Sequence, residues 1–344
     1  MSQPANAAQI TIAARHLEQG ELVAFPTETV YGLGADAENP QAVAGIYAAK
    51  GRPADHPVIV HLAPDADIAY WAEDIPDAAH KLVRAFWPGP LTLILKRAPH
   101  IPDAVSGGQD SIGLRCPSHP VAQALLRSFK SGKGGVAAPS ANRFGHVSPT
   151  TAQHVADEFG SGADSPLAMV LDGGQSEVGI ESTILDLSRM ATHGPVLLRP
   201  GRITPPEIAA VIGVMPAVPD LAAPRASGTL ESHYAPATPV VIVAGDELAT
   251  VLAQLQAAGC SATLITHARH EAHASSASQR MPAHAQGYAH DLYAALRRAD
   301  AMGAEVILVE ATPETAEWQG VNDRLKRAAH GSENLLARLI AEKN

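Results

Sequence analysis

The chain has 344 residues, 46% hydrophobic and 4% aromatic, and a formal net charge of -10. That length predicts two domains, and the acidic balance argues against sequence-independent adhesion to nucleic-acid phosphates, so direct RNA binding is expected to be weak or absent. The two cysteines, Cys116 and Cys260, supply neither a disulfide framework nor a zinc spacing, which reads as a reducing, cytoplasmic setting, and no run reaches the ~18 apolar residues that a membrane span needs.

The first twenty residues lack a basic stretch followed by an apolar one, so an ordinary first helix around Ile10, Ile12 and Leu17 is expected rather than a secretory signal. Strands are predicted at 22–25, 58–62, 91–95, 111–114, 136–138, 168–171, 182–187 and 196–198, with helices around 41–50, 76–86, 119–129 and 150–159. This alternation predicts an α/β fold, a mixed sheet covered by helices, with antiparallel pairing where the late strands crowd together. Residues 213–239, rich in Pro, Gly and Ala, read as an interdomain linker between a domain over 1–212 and a smaller one over 240–344. The stretch 213–236 is long enough to serve as a lid. The second domain reads as a small doubly wound unit, with strands at 240–243, 262–266 and 306–309 and helices at 246–258 and 288–300. Its first turn, Ala244-Gly245-Asp246-Glu247, is not G-x-G-x-x-G, which disfavours a dinucleotide site. His267, His270 and His273 fall in a polar stretch and are expected in a solvated loop rather than at a metal.

The most informative run is Pro26-Thr27-Glu28-Thr29-Val30-Tyr31-Gly32-Leu33-Gly34. It offers two hydroxyls, a carboxylate and a phenol at the end of a buried strand, where α/β folds place ligands. Gly32 and Gly34 are expected to let backbone approach a ligand, although an ordinary connection is an equal reading. Lys50 and Arg52 flank Gly51, a natural helix terminator. Pro53 biases Arg52 toward extended geometry, in which residues two apart share a side. Two converging cations suit a polyphosphate, and two solvated helix-end cations are the alternative. His61 lies in an apolar strand and His56 at its mouth. Arg115 ends another strand and needs either a ligand carboxylate or a structural Asp or Glu. Ser140 and Asn142 follow Ala138-Pro139, where small residues let backbone N–H groups approach a phosphate. Ser148 and Thr150 offer further hydroxyls or an N-cap for the next helix. Ser182 opens a strand and Arg199 ends one. With no Ser-His-Asp order and no P-loop, the set reads as nucleotide and amino-acid recognition in which positioning does the catalysis.

The motifs PTETVYGLG (26–34), KGRPADHPVIVH (50–61), WPGPLTLIL (87–95), GLRCPSHP (113–120), APSAN (138–142), DGG (172–174), ESTI (181–184), LLRPG (197–201) and HYAP (233–236) resemble the Sua5/YrdC/YciO family, in its long form. The resemblance implies a YrdC-like twisted mixed sheet and a Rossmann-like C-terminal domain. It also implies a reaction in which L-threonine, bicarbonate or CO2 and ATP, with Mg²⁺, give threonylcarbamoyl-AMP and pyrophosphate, the product passing to the tRNA-modifying transferase machinery. Carried over by residue, Lys50 and Arg52 would be catalytic and hold the ATP phosphates. His56, Ser111, Ser140, Asn142, Ser148, Arg199 and Tyr234 would complete the ATP side. Thr29, His61, Arg115, Ala138 and Ser182 would surround threonine. Three positions depart from the family pattern: His56 replaces a common Asn, Ser111 a frequent Thr, and Glu231 stands where a nucleotide-contacting tyrosine is expected, leaving Tyr234 to take that role. RNA binding without catalysis fits the acidic charge poorly, and carbamoyl transfer in hydrogenase maturation would call for zinc-finger cysteines.

Overall fold

A computed structural model describes residues 5–229, 233–267, 278–332 and 334–342. Glu231, His270 and His273 lie outside the described residues. The chain divides into two compact units. The first comprises 1–144 and 148–229, and the second 145–147 and 230–344.

In the first unit the strands are β1 (Val23–Phe25), β2 (Gly32–Asp36), β3 (Ile59–Leu62), β4 (Ala72–Glu73), β5 (Leu91–Arg97), β6 (Ser111–Arg115), β7 (Gly135–Ala137), β8 (Met169–Val170), β9 (Thr183–Asp186) and β10 (Val196–Arg199). The helices are α1 (Ala7–Glu18), α2 (Pro40–Lys50), α3 (Ile68–Trp71), α4 (Asp77–Phe86), α5 (Pro120–Ser128), α6 (Ala152–Phe159), α7 (Met190–His193) and α8 (Pro205–Ile212). One mixed sheet runs β10-β9-β5-β6-β3-β7-β2-β1-β8, with β4 on β5. Its parallel pairs are β1–β8, β3–β6 and β5–β9; the others are antiparallel. Side chains alternate between two cores, as a sheet covered on both faces requires. Val23, Phe25 and Val136 pack with Leu17 of α1 and Leu125 of α5, whereas Ala24, Leu33 and Ala137 pack with Val43 of α2, Leu82 of α4 and Ile208 of α8.

Three local expectations are corrected. Gly32 and Gly34 are not in a ligand loop. They lie in β2, which returns antiparallel along β1 with Val23 opposite Gly34. A Cβ on Gly34 would sit 2.9 Å from both Phe25 and Val136, so that glycine is needed for packing between strands. The N-cap of α6 is Thr151, whose side chain accepts from His154 N–H, not Ser148 or Thr150. Lys50 is the last residue of a helix rather than part of an extended run, and the turn after it depends on Gly51 in the left-handed region, φ 62°.

The second unit carries four parallel strands in the order β11-β14-β12-β13, namely β11 (Val240–Val243), β12 (Ala262–Thr266), β13 (Ser278–Arg280) and β14 (Val306–Glu310). Helices α9 (Leu248–Ala257), α10 (Ala285–Asp300), α11 (Gln319–Ala328) and α12 (Leu335–Glu342) accompany them. His267 is not solvated as expected. Its ring packs near Tyr288 and Trp318, its N–H donates to Glu310 and its Nε2 lies 3.0 Å from the Ala311 carbonyl. Among the described residues no group of three His, Cys, Asp or Glu could hold a metal, and no helix is long and apolar enough to cross a membrane.

Candidate functional site

The segments named from the sequence are laced together by backbone hydrogen bonds in the first unit. Tyr31 N–H donates to Pro149, Ala141 to Tyr31 and Leu33 to Pro139, so loops 26–31, 138–142 and 148–150 lie side by side. Ala138 N–H donates to Ile59 and joins them to β3, and Phe144 N–H donates to Lys50. These bonds leave the backbone satisfied and free the short side chains for other work.

Lys50 is buried at the end of α2, and its ammonium donates to the backbone carbonyls of Ser140 and Asn142. Burial, then the neighbouring Arg52 charge, push its pKa well below the usual lysine range. An anion beside it would act in the opposite direction, favouring the charged form. Arg52, also buried, donates to the Pro57 carbonyl at 2.8 Å and reaches Ser227 Oγ at 3.5 Å. His56 follows the same turn, its ring edge-on to Phe144, and its pKa is lowered by burial and by Arg52. Ser111 opens β6 two residues before Gly113, the register partner of Ile59, which sets it level with Pro57. Asn142 and Ser148 are fully buried; Asn142 Nδ2 donates to Arg143 O, and Ser148 Oγ donates to Glu181 at 2.6 Å. Arg199 forks onto Ser182 O and Oγ with Nη2 and gives Nη1 to Ser227 O at 2.7 Å. Residues just beyond α8 therefore return to the two arginines of this site.

The other end of β3 and β6 carries a second cluster. His61 and Arg115 are register partners on adjacent parallel strands. Arg115 resolves the alternative left open by the sequence: a structural carboxylate is present. Its Nη2 meets Glu28 at 2.6 Å, both side chains are 4% exposed, and Glu28 also accepts from Ser118 N–H at 3.0 Å. The same guanidinium reaches Thr29 Oγ1 at 2.8 Å and the Gly89 carbonyl at 3.3 Å. His61 is buried edge-on to Phe25, and burial followed by the Arg115 charge lowers its pKa to about 3. It is therefore a neutral core histidine at ordinary pH. Ser182 Oγ pairs with Thr92 Oγ1 at 2.8 Å.

Tyr234 belongs to the second unit, where its ring packs on Tyr293 and under the Arg324 guanidinium. The residues missed from sequence are those that hold the named ones: Thr27, Glu28, Thr92 and Glu181. Glu28 was legible in principle, because a strand-end arginine demands a carboxylate and the PTET run contains one.

A family model described as "Telomere recombination", for the Sua5/YciO/YrdC module, matches residues 15–201. A second, described as "Threonylcarbamoyl-AMP synthase, C-terminal domain", matches residues 203–330. The chain is 38% identical over 332 residues to threonylcarbamoyl-AMP synthase of Pyrococcus abyssi, covering 93% of this chain and 94% of that protein. It is 40% identical over 341 residues to threonylcarbamoyl-AMP synthase of Bacillus subtilis, covering 95% and 94%. Among solved structures, P. abyssi Sua5 complexed with L-threonine superposes with a TM-score of 0.84 at 35% identity, over 95% of this chain and 96% of that one. The chain belongs to the Sua5/YciO/YrdC family.

Proposed function

We propose that this chain is an L-threonylcarbamoyladenylate synthase, a nucleotidyltransferase that joins L-threonine, bicarbonate or CO2 and ATP into threonylcarbamoyl-AMP with release of pyrophosphate. The product is a mixed anhydride suited to threonylcarbamoyl transfer onto tRNA by a separate enzyme. The observation that carries the reading is the burial of Lys50, Arg52, Arg115 and Arg199 around strand-end loops of one unit. Buried cations are costly unless paired; here Lys50 and Arg52 stand ahead of β3, whereas Arg199 is level with Arg115, the register running from Arg199 through Ile184 and Thr92 to Arg115.

In this reading the threonine amine, once deprotonated, adds to CO2 and releases a proton, forming the N-carboxy compound. A carbamate oxygen then attacks the α-phosphorus of ATP and the bond to pyrophosphate breaks, with no covalent enzyme intermediate. Lys50 and Arg52 hold the phosphates and neutralise charge on the leaving group. His56, Ser111, Ser140, Asn142, Ser148 and Arg199 line the nucleotide side, and Tyr234 is assigned to the nucleotide as well. Arg115, with the N–H groups that Glu28, Thr29 and Gly89 leave on its guanidinium, takes the amino-acid carboxylate, with Thr29, His61, Ala138 and Ser182 around the rest. Mg²⁺ would arrive on the triphosphate, since this ion is ordinarily held by one or two carboxylates and substrate phosphates. It would supply charge neutralisation there. Ser227, bonded to Arg52 and Arg199, supports a covering role for the stretch after α8, which would exclude water from the labile anhydride.

The test is pure full-length protein with ATP, Mg²⁺, labelled bicarbonate and L-threonine. Label in a threonine-dependent adenylate, with equimolar pyrophosphate, is expected. Lys50→Ala and Arg52→Ala should each lose about 3–4 kcal/mol of transition-state stabilisation. No labelled adenylate from wild type would refute the function; full turnover in both variants would refute the assigned roles.

A further inference from the structure

The Thr27–Thr29 pair fixes the direction of one hydrogen bond, and the direction has consequences for substrate selection. Thr27 Oγ1 lies 2.6 Å from the Val30 carbonyl, which can only accept, so the single Thr27 hydroxyl proton is spent there. Thr27 Oγ1 also lies 2.8 Å from Thr29 Oγ1. With its own proton committed, Thr27 accepts, and the Thr29 hydroxyl donates. The Thr29 and Val30 N–H groups, at 3.2 and 3.3 Å, share the second Thr27 lone pair in a weaker three-centre contact. Arg115 Nη1, a donor without acceptor capacity, points at Thr29 Oγ1 from 2.8 Å. Thr29 therefore has its proton turned inward, one lone pair occupied by the guanidinium and one lone pair left.

We propose that Thr27 is a positioning residue for amino-acid recognition: it locks Thr29 as a pure acceptor, so that the substrate group meeting Thr29 must be a hydrogen-bond donor, the β-hydroxyl of threonine. This rests on the reading of Thr29 as a threonine contact and goes beyond it by assigning the contact's polarity and the residue that sets it. A substrate carboxylate has no proton to give to that lone pair. An ammonium would sit against the Arg115 cation that already shares the oxygen. The hydroxyl satisfies both conditions. Valine and 2-aminobutanoate leave the acceptor unpaired, whereas serine satisfies it and differs from threonine only by the methyl group, a weaker basis for rejection.

The test combines variants with a substrate analogue. Thr27→Val keeps the shape but removes the acceptor, freeing the Thr29 proton to rotate toward the substrate. The KM for L-threonine should rise by about tenfold, the loss of one such bond, with kcat and the KM for ATP unchanged. Thr27→Ser restores the acceptor and should return KM to within about twofold of wild type. Thr29→Val reports on the underlying reading: an unchanged threonine KM there would remove Thr29 from the site. A raised KM in Thr29→Val with no change in Thr27→Val would instead refute the positioning role alone. If Thr27→Val is unstable, wild-type protein decides. Calorimetric titration with the β-fluoro analogue of L-threonine, (2R,3R)-2-amino-3-fluorobutanoate, which can accept but not donate at the β position, should match 2-aminobutanoate and fall well short of threonine. Binding as tight as threonine would overturn the proposal.

Discussion

Removal of the Glu28 carboxylate should destabilise the first unit far more than a surface ion-pair deletion does. Glu28 and Arg115 meet at 2.6 Å with each side chain 4% exposed. Two unit charges about 4 Å apart interact by roughly 4 kcal/mol at an effective dielectric of 20. In Glu28→Ala the guanidinium keeps Thr29 and the Gly89 carbonyl but loses its counter-charge, and Ser118 N–H loses its acceptor. Breaking one side of a buried pair costs about 3–5 kcal/mol, because the partner remains charged and dry. Urea unfolding in a Trp318→Phe background, followed by the fluorescence of Trp71 and Trp87, both in this unit, measures the loss. A double-mutant cycle supplies the control. Glu28→Ala with Arg115→Met removes both charges, and the double variant should recover most of the stability lost by either single one while remaining unable to bind threonine. A loss below ~1 kcal/mol for Glu28→Ala, the size expected of an exposed pair, would refute the view that this ion pair is desolvated and holds Arg115 in place.

Two pH effects follow. The Lys50 pKa lies well below its usual value in the free protein because of burial and Arg52. In the role proposed for Lys50, bound phosphates would raise it again, so ATP binding should take up protons and weaken as pH rises from the free-protein value toward 10.5. Calorimetry in buffers of different ionisation enthalpy should show this uptake, and Lys50→Met should abolish it; the same uptake in that variant would exclude Lys50 as the source. His61 protonates at about 3 in the folded chain and at 6.5 when unfolded. The unfolded state therefore binds the extra proton as pH falls below 6.5, and stability should decline down to about pH 3 by roughly 3–5 kcal/mol. His61→Gln should flatten that part of the stability–pH curve, and an unchanged slope would show that His61 is not desolvated.

The sequence by itself determined most of the strands and helices and the kind of chemistry available, but not β2, β4 or β13. Apolar β-branched runs such as Val58–Leu62 have few alternatives to a buried strand, and Gly51 after the Val43, Ile46 and Tyr47 pattern has few alternatives to a helix end. The resemblance to a family also lay in local runs, because the candidate site side chains sit in short strand-end segments that read as motifs. Tertiary structure alone decided which group answers which. Arg115 could have faced a ligand or a protein carboxylate, and only the return of loop 26–31 beside β6 supplies Glu28 at 2.6 Å. The role of Gly34 was equally hidden, because its neighbours Phe25 and Val136 come from two other strands. The direction of the Thr29 hydroxyl was not readable either, since it depends on where the Thr27 proton goes, and that is set by the fold of the loop around Val30. Local sequence specifies which hydrogen-bonding groups exist, but long-range packing specifies their partners, and a buried polar group acts through its partners.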